Sequence, residues 1–192
     1  MNACLILAHN ESKFIEKNVT EVISLFELVI VVNDGSTDDT KDILENLTYD
    51  NLKIINNQKN LGAGKSLEIG INEFKNSGCN NLIKIDGDGQ FKLSDIKRLI
   101  SLSKNDYDFV KCDRFWESGI EGEIPTIRYV GNALASLFIK ISTGNWKIND
   151  PLNGLFLFSK QSLENFSLPK IFYKYGSVSY THLTLPTIGC GW

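Results

Sequence analysis

The sequence predicts an α/β fold: a mostly parallel sheet with helices on both faces. Three observations predict it. Short apolar, β-branched runs alternate with segments whose apolar residues recur at helical spacing. The links between them are short, as in repeated strand-helix units. Polar turn residues gather directly after the strands, at the carboxyl ends where open parallel sheets bind ligands.

In chain order, Cys4-Leu5-Ile6-Leu7-Ala8 reads as a buried strand, and Phe14, Ile15, Val19, Val22 and Ile23 mark the helix behind it. Leu28-Val29-Ile30-Val31-Val32 is the clearest strand; a helix carrying Ile43, Leu44 and Leu47 is expected to open near Thr37. Leu52-Lys53-Ile54-Ile55 is the third strand, with Leu67, Ile71 and Phe74 on the next helix. Leu82-Ile83-Lys84-Ile85 precedes a helix with Ile96, Leu99 and Ile100, and Phe109-Val110 lies in a fifth strand. Strands this uniformly apolar suit a sheet buried on both faces.

After Asp113 the pattern changes. Residues 114–126 hold two glycines, a proline and several acids, which reads as a long loop. Apolar residues at Ile127, Val130, Leu134, Leu137, Phe138 and Ile141 then predict a helix with a broad apolar face, suited to core packing or to a membrane surface. Val178 to Trp192 contains no Asp, Glu, Lys or Arg and resembles the translation of a transposon-type sequencing adapter. The expected division is a domain over 1–177, shortened at its C-terminus, and a non-native tail over 178–192 with no place in the sheet.

The chain of 192 residues is 42% hydrophobic and 22% charged, enough to bury one sizeable core. A formal net charge of -3 gives no basic field, so nucleic acid is not an expected partner. Four scattered cysteines form neither a zinc pattern nor a dense disulfide framework, which suits a reducing cytoplasm. No apolar run approaches the ~20 residues of a membrane span.

Two strand ends carry carboxylates. Asn33-Asp34-Gly35-Ser36-Thr37-Asp38 follows the second strand and supplies a ligand-facing Asp34, a turn glycine and helix-capping residues. Asp86-Gly87-Asp88-Gly89-Gln90 follows the fourth. Two acids one residue apart repel unless water or a cation compensates, and a hard divalent cation suits such oxygens and can also hold a diphosphate. Alone, the first motif is equally a structural turn and the second reads first as an exposed turn; their shared position at strand ends favours a site. Asn60-Leu61-Gly62-Ala63-Gly64-Lys65-Ser66 ends like a P-loop, but Lys59 stands where the first glycine is required. Its glycines instead permit close backbone approach as a helix begins, with Lys65 and amide groups available to an anion.

Together with Ala8-His9-Asn10-Glu11 and Asp150-Pro151-Leu152-Asn153-Gly154-Leu155-Phe156, these segments resemble glycosyltransferase family 2 over Met1 to Gly176. Within it the chain is most similar to the polyprenyl-phosphate, dolichol-phosphate mannosyltransferase-like enzymes, although Asn153 and Leu155 depart from their usual Asp-Pro-x-Ser-Gly-Phe. The resemblance implies a Rossmann-like GT-A fold, with a donor site at Ala8, Asn10, Glu11, Asp34, Gly62, Lys65 and Asp86. It implies Mg2+ or Mn2+ held by Asp88 with Gln90, a UDP- or GDP-sugar donor, and inversion at the anomeric carbon. Arg114 and Arg128 are similar in placement to arginines that bind a lipid-phosphate acceptor at the inner face of the membrane. A lipid phosphate needs no strong base; for a hydroxyl acceptor, Asp150 is the visible candidate.

Two other readings stand beside this one. A sugar nucleotidylyltransferase also joins such a sheet to a metal, but the acidic Ala8-His9-Asn10-Glu11 is unlike the basic, glycine-rich loop that grips a triphosphate. A non-catalytic nucleotide-sugar-binding module would share the donor site and lack turnover.

Overall fold

The computed structural model describes residues 1–105, 107–112 and 154–164, together with the backbone of 188–190. Four strands, β1 (Asn2–Ala8), β2 (Leu28–Asn33), β3 (Leu52–Asn56) and β4 (Asn81–Asp86), pair in parallel in the order β3-β2-β1-β4. Beyond β4 lie β6 (Phe156–Ser159), β5 (Phe109–Cys112) and β7 (Ile188–Cys190).

The two-residue period of a strand divides its side chains between two cores. On one face Cys4, Ile6, Val29, Val31, Ile83 and Ile85 meet Ile15, Val19 and Val22 of α1 (Ile15–Val22), Leu44 of α2 (Thr40–Glu45), and Ile96 and Leu99 of α4 (Leu93–Leu102). On the other, Ala3, Leu5, Ile30, Val32 and Leu82 pack with Leu67, Ile71 and Phe74 of α3 (Ala63–Lys75) and Leu163 of α5 (Lys160–Leu163). Helices thus cover both faces, as the apolar strands require. Each fully buried Val, Leu, Ile or Phe among them contributes about 1.5–3 kcal/mol of transfer free energy.

Three expectations are revised. Helix α2 opens at Thr40, not near Thr37. The Asp38 carboxylate accepts from the Thr40 amide (3.0 Å) and hydroxyl (2.5 Å), a local turn that keeps the preceding residues out of the helix. The second revision is β6, which pairs antiparallel with both β4 and β5 and so separates them. Its apolar run, Phe156-Leu157-Phe158, is too short for periodicity to tell strand from buried helix. Thirdly, the uncharged tail does have a place in the sheet: Ile188–Cys190 pairs in parallel with β5, with Val110 opposite Ile188. Main-chain hydrogen bonds on an edge strand demand little of the side chains on the strand that joins it.

The loop expected at 114–126, the helix expected at 127–142 and Asp150 lie outside the described residues. Among the described residues no helix is long and apolar enough to cross a membrane.

Candidate functional site

Parallel pairing brings three carboxyl ends together: Ala8 lies opposite Asn33, and Leu7 opposite Asp86. The turns that leave them enclose a cleft of roughly 360 Å³. Of the residues expected at the donor and metal sites, Ala8, Glu11, Asp34, Gly62, Asp86 and Asp88 line it. Leu7, His9, Asn60, Ala63, Ser66 and Gly87 complete the wall.

Asp34 is only 4% exposed, and its carboxylate is already engaged. Oδ1 accepts from the Leu61 amide and the Asn57 side chain, both at 2.9 Å, and Oδ2 accepts from the Gly62 amide at 2.8 Å. Hydrogen bonds of this charge-assisted kind are the stronger ones. Asp34 therefore fixes the 60–62 loop against the end of β2, with Oδ2 retaining acceptor capacity toward the cleft. Gly35 makes that contact possible. Its φ is +61°, and a Cβ there would stand 2.2 Å from the carbonyl carbon of Lys59.

His9 closes the same corner. Because the Asp34 carbonyl can only accept, the Nδ1–H of His9 donates to it at 2.8 Å, and Nε2 accepts from the Asn60 side-chain Nδ2 at 3.0 Å. Asn10, at φ +59°, braces two turns: its amide donates to the Ser36 hydroxyl (2.9 Å) and its Oδ1 accepts from the Thr37 amide (2.8 Å). Asn10 is outside the cleft lining, as are Lys65 and Gln90. The Lys65 ammonium pairs with Glu68 of its own helix at 2.5 Å. The Gln90 amide donates to Asp88 Oδ1 at 3.0 Å, so residue 90 shapes the Asp88 turn through its backbone. Arg114, Arg128 and Asp150 fall outside the described residues.

The cleft is strongly acidic on the β4 side. Burial, then the charges of Asp88, Asp38 and Asp86, push the Glu11 carboxyl above its ordinary range, against a smaller opposing effect of His9. Asp38 goes the other way: burial would raise it, but hydrogen bonds from Thr40 and Ser12 outweigh that and hold it at about 2. Among the described residues no three carboxylate, imidazole or thiol groups gather closely enough to hold a metal ion by themselves. The donor set still fits a hard cation that brings other ligands with it, since Mg2+ is commonly held by one or two carboxylates plus substrate phosphates.

Sequence reasoning missed two residues that build this turn. Asn18, 2% exposed on α1, donates to the Gly87 carbonyl at 2.7 Å. Lys84, 5% exposed, carries its ammonium to the Asp86 carboxylate. Both had a signal: a lone amide inside the Ile15, Val19, Val22 stripe, and a lone charge inside an apolar strand. Gly154 fits against this pair, where a Cβ would stand 1.6 Å from Asp86 Oδ2.

The glycosyl transferase family 2 model matches residues 4–166. The chain belongs to that family. It is a glycosyltransferase domain with a Rossmann-like GT-A fold, as the motifs led one to expect. It is 28% identical over 179 residues to a UDP-N-acetylglucosamine–dolichyl-phosphate N-acetylglucosaminyltransferase of Methanococcus voltae, covering 85% of this chain and 71% of that one. It is 29% identical over 108 residues to a dolichyl-phosphate β-glucosyltransferase of Trichomonas vaginalis, covering 50% of this chain and 31% of the relative. Among solved structures, glucosyl-3-phosphoglycerate synthase of Mycobacterium tuberculosis, in complex with Mn2+, UDP and phosphoglyceric acid, superposes with a TM-score of 0.66 at 17% identity. That match covers all of this chain and 69% of the synthase.

Proposed function

We propose that this family 2 domain transfers a sugar from a UDP-sugar to a polyprenyl phosphate, with inversion at the anomeric carbon. One observation carries the reading: a cleft at three strand ends whose carboxylates Glu11, Asp86 and Asp88 crowd one another enough to disfavour ionised Glu11. Two anionic parties, the cleft and a nucleoside diphosphate, need positive charge between them to share such a space, and a divalent cation supplies it. Asp88 is the residue we assign to hold Mg2+ or Mn2+, which when bound would supply charge neutralisation for the departing diphosphate.

The chain's own groups do the rest. Asp34 fixes the 60–62 loop and leaves Oδ2 capacity for a base or ribose donor. Ala8, Glu11 and Asp86 line the cleft beside it. The Methanococcus voltae relative supports UDP as nucleotide and a polyprenyl phosphate as acceptor, and the dolichyl-phosphate β-glucosyltransferase agrees on the acceptor. A phosphate acceptor is already anionic near neutral pH, so the reaction asks for cationic positioning groups, Arg114 and Arg128, rather than a strong base. Such an acceptor places the reaction at a membrane surface. Residues 1–177 form the catalytic unit, so a chain ending there should keep its UDP affinity.

The test is transfer from labelled UDP-N-acetylglucosamine, UDP-glucose and GDP-mannose to dolichyl phosphate, with 3-phosphoglycerate as the soluble competitor and Mn2+ or Mg2+ added. Lipid-linked product that disappears with chelator and in Asp88→Asn is expected. Transfer to phosphoglycerate alone would replace the acceptor, and absence of metal-supported UDP binding by calorimetry would overturn the reading.

A further inference from the structure

The Lys84 side chain is 6% exposed, in a strand flanked by β1 and β6. Such burial is costly for an ammonium unless it is paired. Its partner is Asp86, the first carboxylate of the Asp86-Gly87-Asp88 turn, whose side chain is 46% exposed toward the cleft. The ammonium end of the pair is enclosed. The register sets Lys84 opposite Phe156, whose ring centroid is 5.3 Å from the ammonium. On the remaining side is the Gly154 backbone, where a Cβ would stand 2.8 Å from Lys84 Nζ and 1.6 Å from Asp86 Oδ2. One Asp86 oxygen is therefore on the ammonium and the other against Gly154, so a cation entering the cleft would have to compete with the ammonium for Asp86. Among the described residues, Asp88, beyond the turn, has only the Gln90 backbone amide on Oδ1.

We propose that Lys84 is a positioning residue: it holds Asp86 as an internal countercharge, so that Asp86 stays out of the cation's coordination and the cation enters the cleft only together with a diphosphate. This rests on the metal-dependent reading of the cleft. With Asp88 as the single direct carboxylate, a hard cation lacks ligands until phosphate oxygens arrive. Cation and nucleotide are then thermodynamically linked, each tightening the other by the same factor.

The experiment is calorimetric titration of the full chain with Mn2+, with and without UDP, for wild type, Lys84→Met, Asp86→Asn and the double variant. Wild type should bind Mn2+ weakly alone and at least ~10-fold more tightly with UDP. Lys84→Met should raise nucleotide-free Mn2+ affinity by about 10-fold, a gain that a merely structural role would not produce, and the gain should vanish in the Asp86→Asn background. Unchanged affinity in Lys84→Met, or an equal gain in both backgrounds, would overturn the assignment. Should Lys84→Met not fold, nuclear magnetic resonance of the wild type decides. The Lys84 ammonium should stay protected from exchange and coupled to the Asp86 carboxylate when Mg2+ and UDP are added, and loss of that coupling on metal addition overturns it. A chain that binds in this way yet transfers no sugar would refute the transferase chemistry proposed above and leave the role of Lys84 standing.

Discussion

Asn18 of α1 donates its side-chain amide to the carbonyl of Gly87, 2.7 Å away and 69 residues later in the chain. Both groups are buried from water, and the bond joins a helix that follows β1 to the acidic turn that follows β4. Replacing Asn18 by Ala leaves the Gly87 carbonyl without that donor, which costs about 1–3 kcal/mol. Urea unfolding should register this loss, and UDP affinity in the presence of Mn2+ should fall with it. Unaltered stability would mean that the carbonyl finds another donor.

Asp34→Asn tests the loop clamp. The substitution puts an NH2 group where one of two amides, Leu61 or Gly62, now donates. The 60–62 loop should detach, with UDP affinity reduced by ~10-fold or more, in line with roughly 1–3 kcal/mol for a buried donor left unmet. Calorimetry with UDP checks it; affinity within experimental error of wild type would show that the loop holds its place without the carboxylate.

The carboxylate crowding makes a pH-dependent prediction. The folded-state value for Glu11 is raised, so its stability contribution is full below the unfolded value near 4.5 and is lost as pH rises through the folded value. Glu11→Gln should therefore raise the cation-free Tm at pH 7 and have little effect at pH 4. Asp38 has the opposite sign: its folded value of about 2 lies below the ordinary 3.8, so its contribution is present above 3.8 and lost as pH falls through 2. Thermal melts across pH 2–8 read both; a Glu11→Gln gain independent of pH would argue against charge crowding as its cause.

Arg114 and Arg128 are expected to serve the acceptor. Lysine at either position keeps the charge and loses the planar fork that suits phosphate. The acceptor KM should rise several-fold while UDP affinity holds. A fall in UDP affinity instead would assign these arginines to the donor diphosphate.

Much of this was readable in the chain. The five strands before residue 113 and the helices between them follow from period and length, because strands covered on both faces leave long apolar runs. The cleft carboxylates were readable for a related reason, since Asp34, Asp86 and Asp88 follow those runs directly. What escaped depends on pairing across distance. Nothing near Phe156 announces that it lies opposite Lys84, and nothing near Asn18 points to Gly87. Asp34 shows the same limit within a recognised motif: its position was evident, but its use as a clamp on Leu61 and Gly62 appears only when the loop is in place.

The antiparallel β6 also sets an order of assembly. During synthesis, β1, β2 and β3 can pair as each emerges, and β4 can join β1 once residues 81–86 arrive, because every partner in this half of the sheet precedes it. The outer edge of β4 has no partner until residues 156–159 arrive, about 70 residues later. Until then the Lys84 ammonium has neither Phe156 nor Gly154 beside it, and the open edge can recruit strands from other chains. Contacts so distant in sequence, β1 with β4 as well as β4 with β6, are slow to form. In refolding followed by pulsed hydrogen exchange, amides of β1 and β2 should gain protection before those of β6. A nascent chain stalled before residue 156 should aggregate more readily than one stalled after residue 164.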